Sequence, residues 1–523
     1  MQPSLAVAIT SSALAGCSLI FNPNNLPNAV IDAPSDAEIV LDADPKMLVI
    51  DGVEPMMIFE GQGDLGSQPA VVVIHGHHII DNHTIVEITP RTGTVQLTLG
   101  PPVIAGNGNW IAVQVAAHVD PSLTQGTSRS LDVKVTEAIP PELGGGTSTS
   151  TLSDALSLVG LQELTATSPE VAGGNINTMS LAERYAQVDL SGIPTVAFTG
   201  DRRAILHSMS SVTAKTLTAI GAPGTSSAGG TGAVGGCSGG GPASMGDCDG
   251  GGKAGVPGGV VLGGAGGGGG GGFATDGKPG TGNGAGAAGL RTGDELIVTY
   301  EGIGNRTQNR AGGGGGGGQP TVGGPGGGGG AGGGSIELTA GGDVSVDAIT
   351  VDGGAGGKSA TTGGGGGAGG LVMVRAGGTL AISGEVSARG GVHGDGSSNV
   401  SLGGLGGDGA PGRVRWDAAL GTMPQVPVGT RHRGPAFTLT TPIFRTPYAM
   451  ISLNGTSNDR FNVYSIHAGM THAGPQNVSI NPDGTATFLE TLQQGFTQLC
   501  ITLEGGQQGT SEADKCVDVA FLP

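Results

Sequence analysis

Residues 332–354 read GGGSIELTAGGDVSVDAITVDGG, and residues 368–391 read AGGLVMVRAGGTLAISGEVSARGG. Laid one on the other, Ile336 falls on Val372, Leu338 on Val374, Val344 on Leu380 and Val346 on Ile382, at a constant offset of 36. One inserted residue then sets Ile349 on Val386 and Val351 on Ala388. A third copy, AILHSMSSVTAKTLTAIGAPG from Ala204, puts Leu206, Val212, Ala214, Leu217 and Ala219 on Leu338, Val344, Val346, Ile349 and Val351. A partial fourth, GAPGRVRWDA, opens with Val414 and Trp416. Each copy holds three short segments that alternate apolar and polar residues, with Gly or a small polar residue at the corners. Period-two alternation places the apolar residues on one face. One such unit cannot bury that face alone, but a stack of units can. Three short strands per turn is the layout of a right-handed parallel β-helix, expected over residues 161–428.

A coil of that kind needs about twenty residues, the low end for solenoid repeats. The repeat therefore leaves room for the glycine tracts that separate its copies. The chain has 108 glycines in 523 residues. Flexible spacers of this composition behave as random coils, but spacers join domains, whereas these tracts recur at one corner of a repeat. Prolines at 242, 257, 279, 320, 325 and 411 favour polyproline II, a threefold helix that glycine shares. Collagen is excluded because no strict Gly-X-Y phase persists. Bundled glycine helices, or long loops packed on one face, remain as ordered alternatives. Order is expected foremost for 312–334 and 363–370, and less for 221–289.

On both sides of the repeats lie short alternating segments bounded by Gly, Pro, Asn or Asp. KMLVIDG, PAVVVIHG, HTIVEITP and NWIAVQVAAHV are examples before them, and YAMISLNG, RFNVYSIHAG and TATFLETL after them. This spacing predicts two β-sandwiches, over 46–142 and 429–523. PPELGGGTSTST suggests a linker over 143–160. The fold class is thus all-β. The first sandwich resembles a bacterial immunoglobulin-like module of the TIG type. The unit G-apolar-x-apolar-x-A-G-G-x-apolar after each glycine tract resembles the glycine-rich β-helical domains of bacterial surface lipoproteins, here flanked by immunoglobulin-like domains.

The chain opens MQPSLAVAITSSALAGCSLIF. Leu5 to Ala15 is apolar, too short to span a membrane, and ends in small residues, as the core of a secretory signal does. Leu14-Ala15-Gly16-Cys17 resembles the lipobox of bacterial lipoproteins, although no Lys or Arg precedes it. The resemblance implies removal of the preceding peptide (signal over 1–17), acylation of Cys17 and a membrane anchor through that lipid. Ser18 then resembles the sorting signal for the outer membrane. The Pro-, Asn- and Asp-rich stretch 18–45 suits a tether. With Cys17 lipidated, the other cysteines leave two local pairs, Cys237 with Cys248 and Cys500 with Cys516, expected as disulfides in an oxidising compartment. Neither pair has the CxxC spacing of a zinc site.

A net charge of −19 with no Lys/Arg cluster argues against a nucleic-acid partner, because phosphate contacts dominate that affinity. In IHGHHIIDNH, His75 and His77 occupy alternating strand positions and are weak candidates for a shared Zn²⁺, against the plainer expectation of two strands around a surface turn. Asp343, Asp347 and Asp352 are the nearest approach to the carboxylate clusters of carbohydrate-active β-helices, but Thr379, Ser383 and Arg389 replace them one copy later. No GxxxxGK[ST] is present. No cofactor is expected. The sequence therefore points to a non-enzymatic, lipid-anchored cell-surface protein with a structural or adhesive role and a glycan or cell-surface ligand. The alternatives are a polysaccharide lyase or hydrolase, and a water- or ice-ordering surface hinted at by SATT, which ends at Thr361-Thr362.

Overall fold

The computed structural model describes residues 47–80, 83–120, 122–141, 145–257, 265–292, 311–321, 324–396, 403–422, 425–439, 441–503 and 515–523. The signal and tether segments, with Cys17, lie outside the described residues. Every regular element among those described is a β-strand.

The alternating segments at the start form β1 (Val49–Glu54), β2 (Met57–Phe59), β3 (Ala70–His77), β4 (Thr84–Pro90), β5 (Leu97–Leu99), β6 (Val103–Ile104), β7 (Trp110–Ala117), β8 (Ser128–Ala138) and β9 (Thr147–Val159). One sheet runs β1-β3-β7-β5 with β6 on β7, and a second runs β2-β9-β8-β4. Their apolar faces share one core, in which Val72, Ile74 and Val113 of the first sheet meet Val133, Val135 and Leu156 of the second. The expected linker over 143–160 is corrected here. Most of it is β9, paired with β8 from Ala138 opposite Thr147 to Ser128 opposite Val159. Its β-branched Thr residues suit a strand, and Leu156 and Leu158 are fully buried.

The repeats form β10 (Leu164–Thr165), β11 (Val171–Ala172), β12 (Asn175–Asn177), β13 (Val188–Thr199), β14 (Ala204–Ser208), β15 (Val212–Thr218), β16 (Ser335–Ala340), β17 (Val344–Thr350), β18 (Leu371–Ile382), β19 (Val386–Ser387), β20 (Arg413–Gly421) and β21 (Thr430–Arg433). All pair in parallel except β11 with β12. One ladder stacks β14, β16, β18, β20 and β21, and another stacks β13, β15 and β17, continued by the end of β18 and by β19. The register is that of the repeat alignment. Leu206 lies beside Leu338 and Leu338 beside Val374; Val212 lies beside Val344 and Val344 beside Leu380; Leu217 lies beside Ile349 and Ile349 beside Val386. These residues form one buried core that ends in Val414 and Trp416. The pairing of β20 with β21 runs to Trp416 opposite Arg433, so the ladder passes the expected boundary at 428.

The last segment forms β22 (Ala436–Phe437), β23 (Ile443–Phe444), β24 (Tyr448–Asn454), β25 (Arg460–His467), β26 (Met470–Ala473), β27 (Val478–Ser479), β28 (Thr485–Thr491), β29 (Gly495–Leu503) and β30 (Lys515–Phe521). A three-stranded sheet, β22-β24-β28, and a six-stranded one built on β23-β30-β29-β25-β26 share a core around Ile451, Phe461, Val463 and Leu499. Ala520 and Leu522 pack on Val71, Val73 and Ala112, which ties this lobe to the first.

The glycine tracts leave the ladder after β15, β17 and β19 and return at β16, β18 and β20. They are a hydrogen-bonded lattice with a period of three. In the tract 326–335, the N–H groups of Gly327, Gly330 and Gly333 donate to Thr362, Gly365 and Ala368. Those of Gly328, Ala331 and Gly334 donate to Thr225, Ala222 and Ala219, and those of Gly329, Gly332 and Ser335 to Gly240, Cys237 and Val234, at 2.7–3.0 Å throughout. Its carbonyls accept from three further directions: Gly315 to Gly330, Gly354 to Ala331 and Gly230 to Gly329. Three residues per turn is the polyproline II helix, which has no internal hydrogen bonds. Here each of its three faces donates to one neighbour and accepts from another. The tracts 266–272, 312–319 and 363–370 are surrounded in the same way. Residues 221–257 and 265–289, expected to be less ordered, belong to the same array.

Close approach explains the composition. A Cβ on Gly329 would fall within 3.0 Å of the Gly315 carbonyl, and one on Gly332 equally close to that of Gly312. On the outside only one face of each threefold helix is free. In 389–396, Arg389, Val392 and Asp395 are exposed, while Gly391 and Gly394 are buried. Exposed ion pairs join outer tracts, Lys358 with Asp395 at 2.7 Å and Lys278 with Asp408 at 2.8 Å. Burial tends to raise the Asp408 carboxyl, but hydrogen bonds from Lys278 and His393 outweigh it and hold it down at about 2.

Two outcomes follow. Gly329→Ala, which forces a side chain against backbone in the lattice interior, should destabilise the lobe by at least ~2 kcal/mol. Gly241→Ala, with nothing within 4 Å of its Cβ, should be near neutral; thermal unfolding and protease sensitivity of the two variants check this. In the last lobe, burial alone pushes the Glu490 carboxyl up to about 7. The fold therefore favours its neutral form, and stability should fall as pH rises from the ordinary carboxylate range through 7, then level off. Glu490→Gln should remove about 3 kcal/mol of that loss, read from denaturant midpoints at pH 5 and pH 8.

Candidate functional site

A cleft of about 760 Å³ opens where the three strand lobes meet. Its floor comes from the outward face of the first ladder. Alternation sends Leu206, Leu338, Val374 and Trp416 into the core, so the next residue on each strand points the other way. Those residues, His207, Thr339, Arg375 and Asp417, pair in one row across β14, β16, β18 and β20. The first three line the cleft. Asp417 closes the row and is fully buried. It receives Arg415 in a two-pronged contact, Nε to Oδ1 at 2.8 Å and Nη2 to Oδ2 at 2.9 Å. Arg375 Nε stands 3.7 Å from Asp417 Oδ2 and has no hydrogen-bond partner.

The first lobe supplies a second wall, with Glu54, Met56, Met57 and Phe59. The guanidinium of Arg184 sits 5.2 Å over the Phe59 ring, a cation–π distance. The third wall, from β25, β29 and β30, brings Ile466, Phe496, Gln498, Val517 and Asp518. Burial pushes the Asp518 carboxyl up, opposed by a hydrogen bond from Gln498. A pocket of this size with apolar walls and a few convergent polar groups is the usual form of a small-ligand site.

Sequence pattern did not assemble this cleft, because its residues run from Glu54 to Asp518. One signal was present: the column after the inward residues reads His, Thr, Arg, Asp in the four copies. The residues that pattern did single out are placed elsewhere. His75 and His77 lie on β3 before the turn into β4. His75 stacks on Trp110 at 5.1 Å between ring centroids, and His77 Nε2 contacts Asp51 Oδ2 at 3.1 Å. Among the described residues no three His, Cys, Asp or Glu side chains are grouped to hold a metal ion.

Asp343, Asp347 and Asp352 do not share a site. Asp343 accepts from the Thr379 amide at 2.6 Å, Asp347 from the Ser383 hydroxyl at 3.0 Å, and Asp352 from Ser387 and the Arg389 amide at 2.6 and 2.7 Å. Each clips its corner to the next copy. Thr361 and Thr362 are buried, and their hydroxyls donate to the carbonyls of Pro325 and Gln319 at 3.0 and 2.6 Å. The expected water-ordering patch at SATT is therefore an internal contact of the glycine lattice.

Cys237 and Cys248 form a disulfide with Cα atoms 6.0 Å apart, joining two neighbouring tracts. Cys500 and Cys516 form another across β29 and β30, where they are directly opposed, with Cα atoms 4.1 Å apart. Comparison with known protein families, with characterised proteins and with solved structures finds no match to this chain.

Because Cys237 is buried and its amide and carbonyl are both in the lattice, the paired substitution Cys237→Ser/Cys248→Ser should lower stability by about 3 kcal/mol, the usual scale for a short closed loop. Reductant opens Cys500–Cys516 as well, so the unsubstituted protein should lose at least as much under reducing conditions, monitored by thermal unfolding with and without reductant.

Proposed function

We propose that this chain is an exported, non-enzymatic surface protein anchored by a lipid on Cys17, and that its glycine lobe is a rigid contact surface. In this reading residues 18–45 form the tether. An immunoglobulin-like sandwich begins at 46 and includes β9, the ladders are a right-handed parallel β-helix from 161 to Arg433, and a second immunoglobulin-like sandwich follows. Consecutive parallel pairing in the repeat register supports the β-helix. Two sheets around one core, antiparallel except for the pairs β2–β9 and β23–β30, support each sandwich.

The observation that carries the functional proposal is the threefold lattice. It converts the most flexible residue type into an array fixed by backbone hydrogen bonds in six directions. A surface already ordered loses little conformational entropy on binding. Its outer rows, such as Arg389, Val392 and Asp395, are spaced by the helix and can face a repetitive partner such as a glycan or another cell's surface. The alternative of a carbohydrate-active enzyme draws no support from Asp343, Asp347 or Asp352, whose carboxylates bracket successive copies instead of facing each other as glycoside chemistry requires.

Metabolic labelling with palmitate should mark the expressed chain and be lost in Cys17→Ser, with the protein released from the membrane fraction. In a screen of glycans and bacterial surfaces, the full soluble chain should be retained by at least one surface, and Val392→Asp should weaken that retention about tenfold. A chain retained by none, or one that releases sugars from polysaccharide until Asp343→Asn abolishes it, would overturn the contact-surface role.

A further inference from the structure

We propose that the cleft between the three lobes is a binding site for a small amphipathic anion, an acidic head group on an apolar body, seated with its head on Arg375. This proposal is independent of the anchor and of the glycine surface.

Arg375 is the reason. Its side chain is only 7% exposed, so its charge has been taken largely out of water. A buried guanidinium is stable when its donors and charge are matched. Among the described residues the carboxylate within 4 Å of it is Asp417, which already accepts two hydrogen bonds from Arg415 and stands 3.7 Å from Arg375 Nε. Arg375 Nε has no hydrogen-bond partner, and Nη2 makes only a long contact to the thioether of Met373 at 3.8 Å. Five fixed donors around a planar cation suit a carboxylate or a similar oxyanion. The cleft is the side from which one can arrive, because Arg375 lines it beside His207 and Thr339. Arg184, the second guanidinium of the cleft, rests on the Phe59 ring and adds to the positive potential.

The walls specify the rest of the ligand. Met56 and Met57 are 78% and 50% exposed, and Phe59, Phe437 and Phe496 line the same space. Thioethers adapt to irregular apolar shapes, and the volume lies within the range that encloses most of a drug-sized molecule. The acidic side chains that line the cleft, Glu54 and Asp518, belong to the two other walls, and Asp417 beneath the floor is already held by Arg415.

The test is calorimetric titration of the full soluble chain with decanoate, decanol and decyltrimethylammonium, which share an apolar body and differ in head charge. Decanoate should bind saturably at one site per chain, at least tenfold more tightly than decanol, and the cation should not bind. Arg375→Met keeps the volume and removes the charge; it should weaken decanoate at least tenfold and leave decanol unchanged. Arg184→Gln, on the cleft wall, should weaken decanoate several-fold and serves if Arg375→Met does not fold. Phe59→Ala should weaken decanoate and decanol alike. No decanoate binding, equal affinity for decanoate and decanol, or decanoate binding unmoved by every foldable arginine variant would overturn the proposal.

Discussion

The backbone hydrogen bond between threefold glycine helices is the interaction on which the rest of the structure depends. A polyproline II helix satisfies none of its own polar groups, and buried amides left unpaired are costly. In the interior tracts every residue faces a neighbour, so the N–H and C=O of successive residues rotate through six directions and nearly all find a partner. A side chain at an interior position would hold two helices apart and leave several such bonds unmade. The glycine content is thus a packing requirement: it permits approach at hydrogen-bonding distance on all sides. Cα–H groups aimed at neighbouring carbonyls add weak contacts of the same geometry.

The same bond links this lattice to the strand ladders. Neighbouring strands lie about 4.8 Å apart because that is the separation an N–H···O=C contact sets. The ladder at Thr350 and Ser387 passes into the tracts without a break, since Ala219 donates to Thr350, Val351 to Ser387 and Gly353 to Arg389. On the return, Gly334 receives Leu371, and Gly370 receives Arg413. The ladders bury Val, Leu and Ile inside, while the tracts bury almost nothing but backbone. One half is held by the hydrophobic effect and the other by hydrogen bonds, and each orders the ends of the other. The cleft floor depends on this as well, because His207, Thr339, Arg375 and Asp417 are aligned only while successive copies stay in register.

How much of this was legible in sequence depended on whether the signal was periodic. Leu338, Val344 and Ile349 announced their neighbours because the same residue types recur one copy away and a slip of one would turn them outward. The order of the glycine tracts was half legible: Pro325 and Pro411 pointed to threefold helices, but glycine carries no side-chain pattern to say which tract touches which. Thr147–Val159 was misjudged because GGGTSTST has the composition of a spacer, while its Thr residues and the later Leu156 and Leu158 have the alternation of a strand. The cleft was invisible because Met57, Arg375 and Asp518 are gathered by the packing of three lobes. No local spacing encodes that. Even so, Arg375 stood in a column whose other members are all polar, in a face that alternation alone predicted to be outward.

The lattice also constrains how such a chain can vary. The arms 351–357 and 364–370 run antiparallel and meet every third residue, at Val351 with Gly370, Gly354 with Gly367 and Gly357 with Gly364; 388–394 and 406–412 do the same. One residue added to an arm would turn every later N–H by a third of a revolution, from its own neighbour to the next. This is the threefold counterpart of the slip that flips a strand's faces. Length can therefore change only by whole turns, three residues on the outgoing arm matched by three on the return. Outer positions such as Val392 and Lys358 are free of that limit. The side chains that distinguish one such surface from another are then confined to one residue in three on the outermost tracts, and variation in what the lobe contacts must be concentrated there.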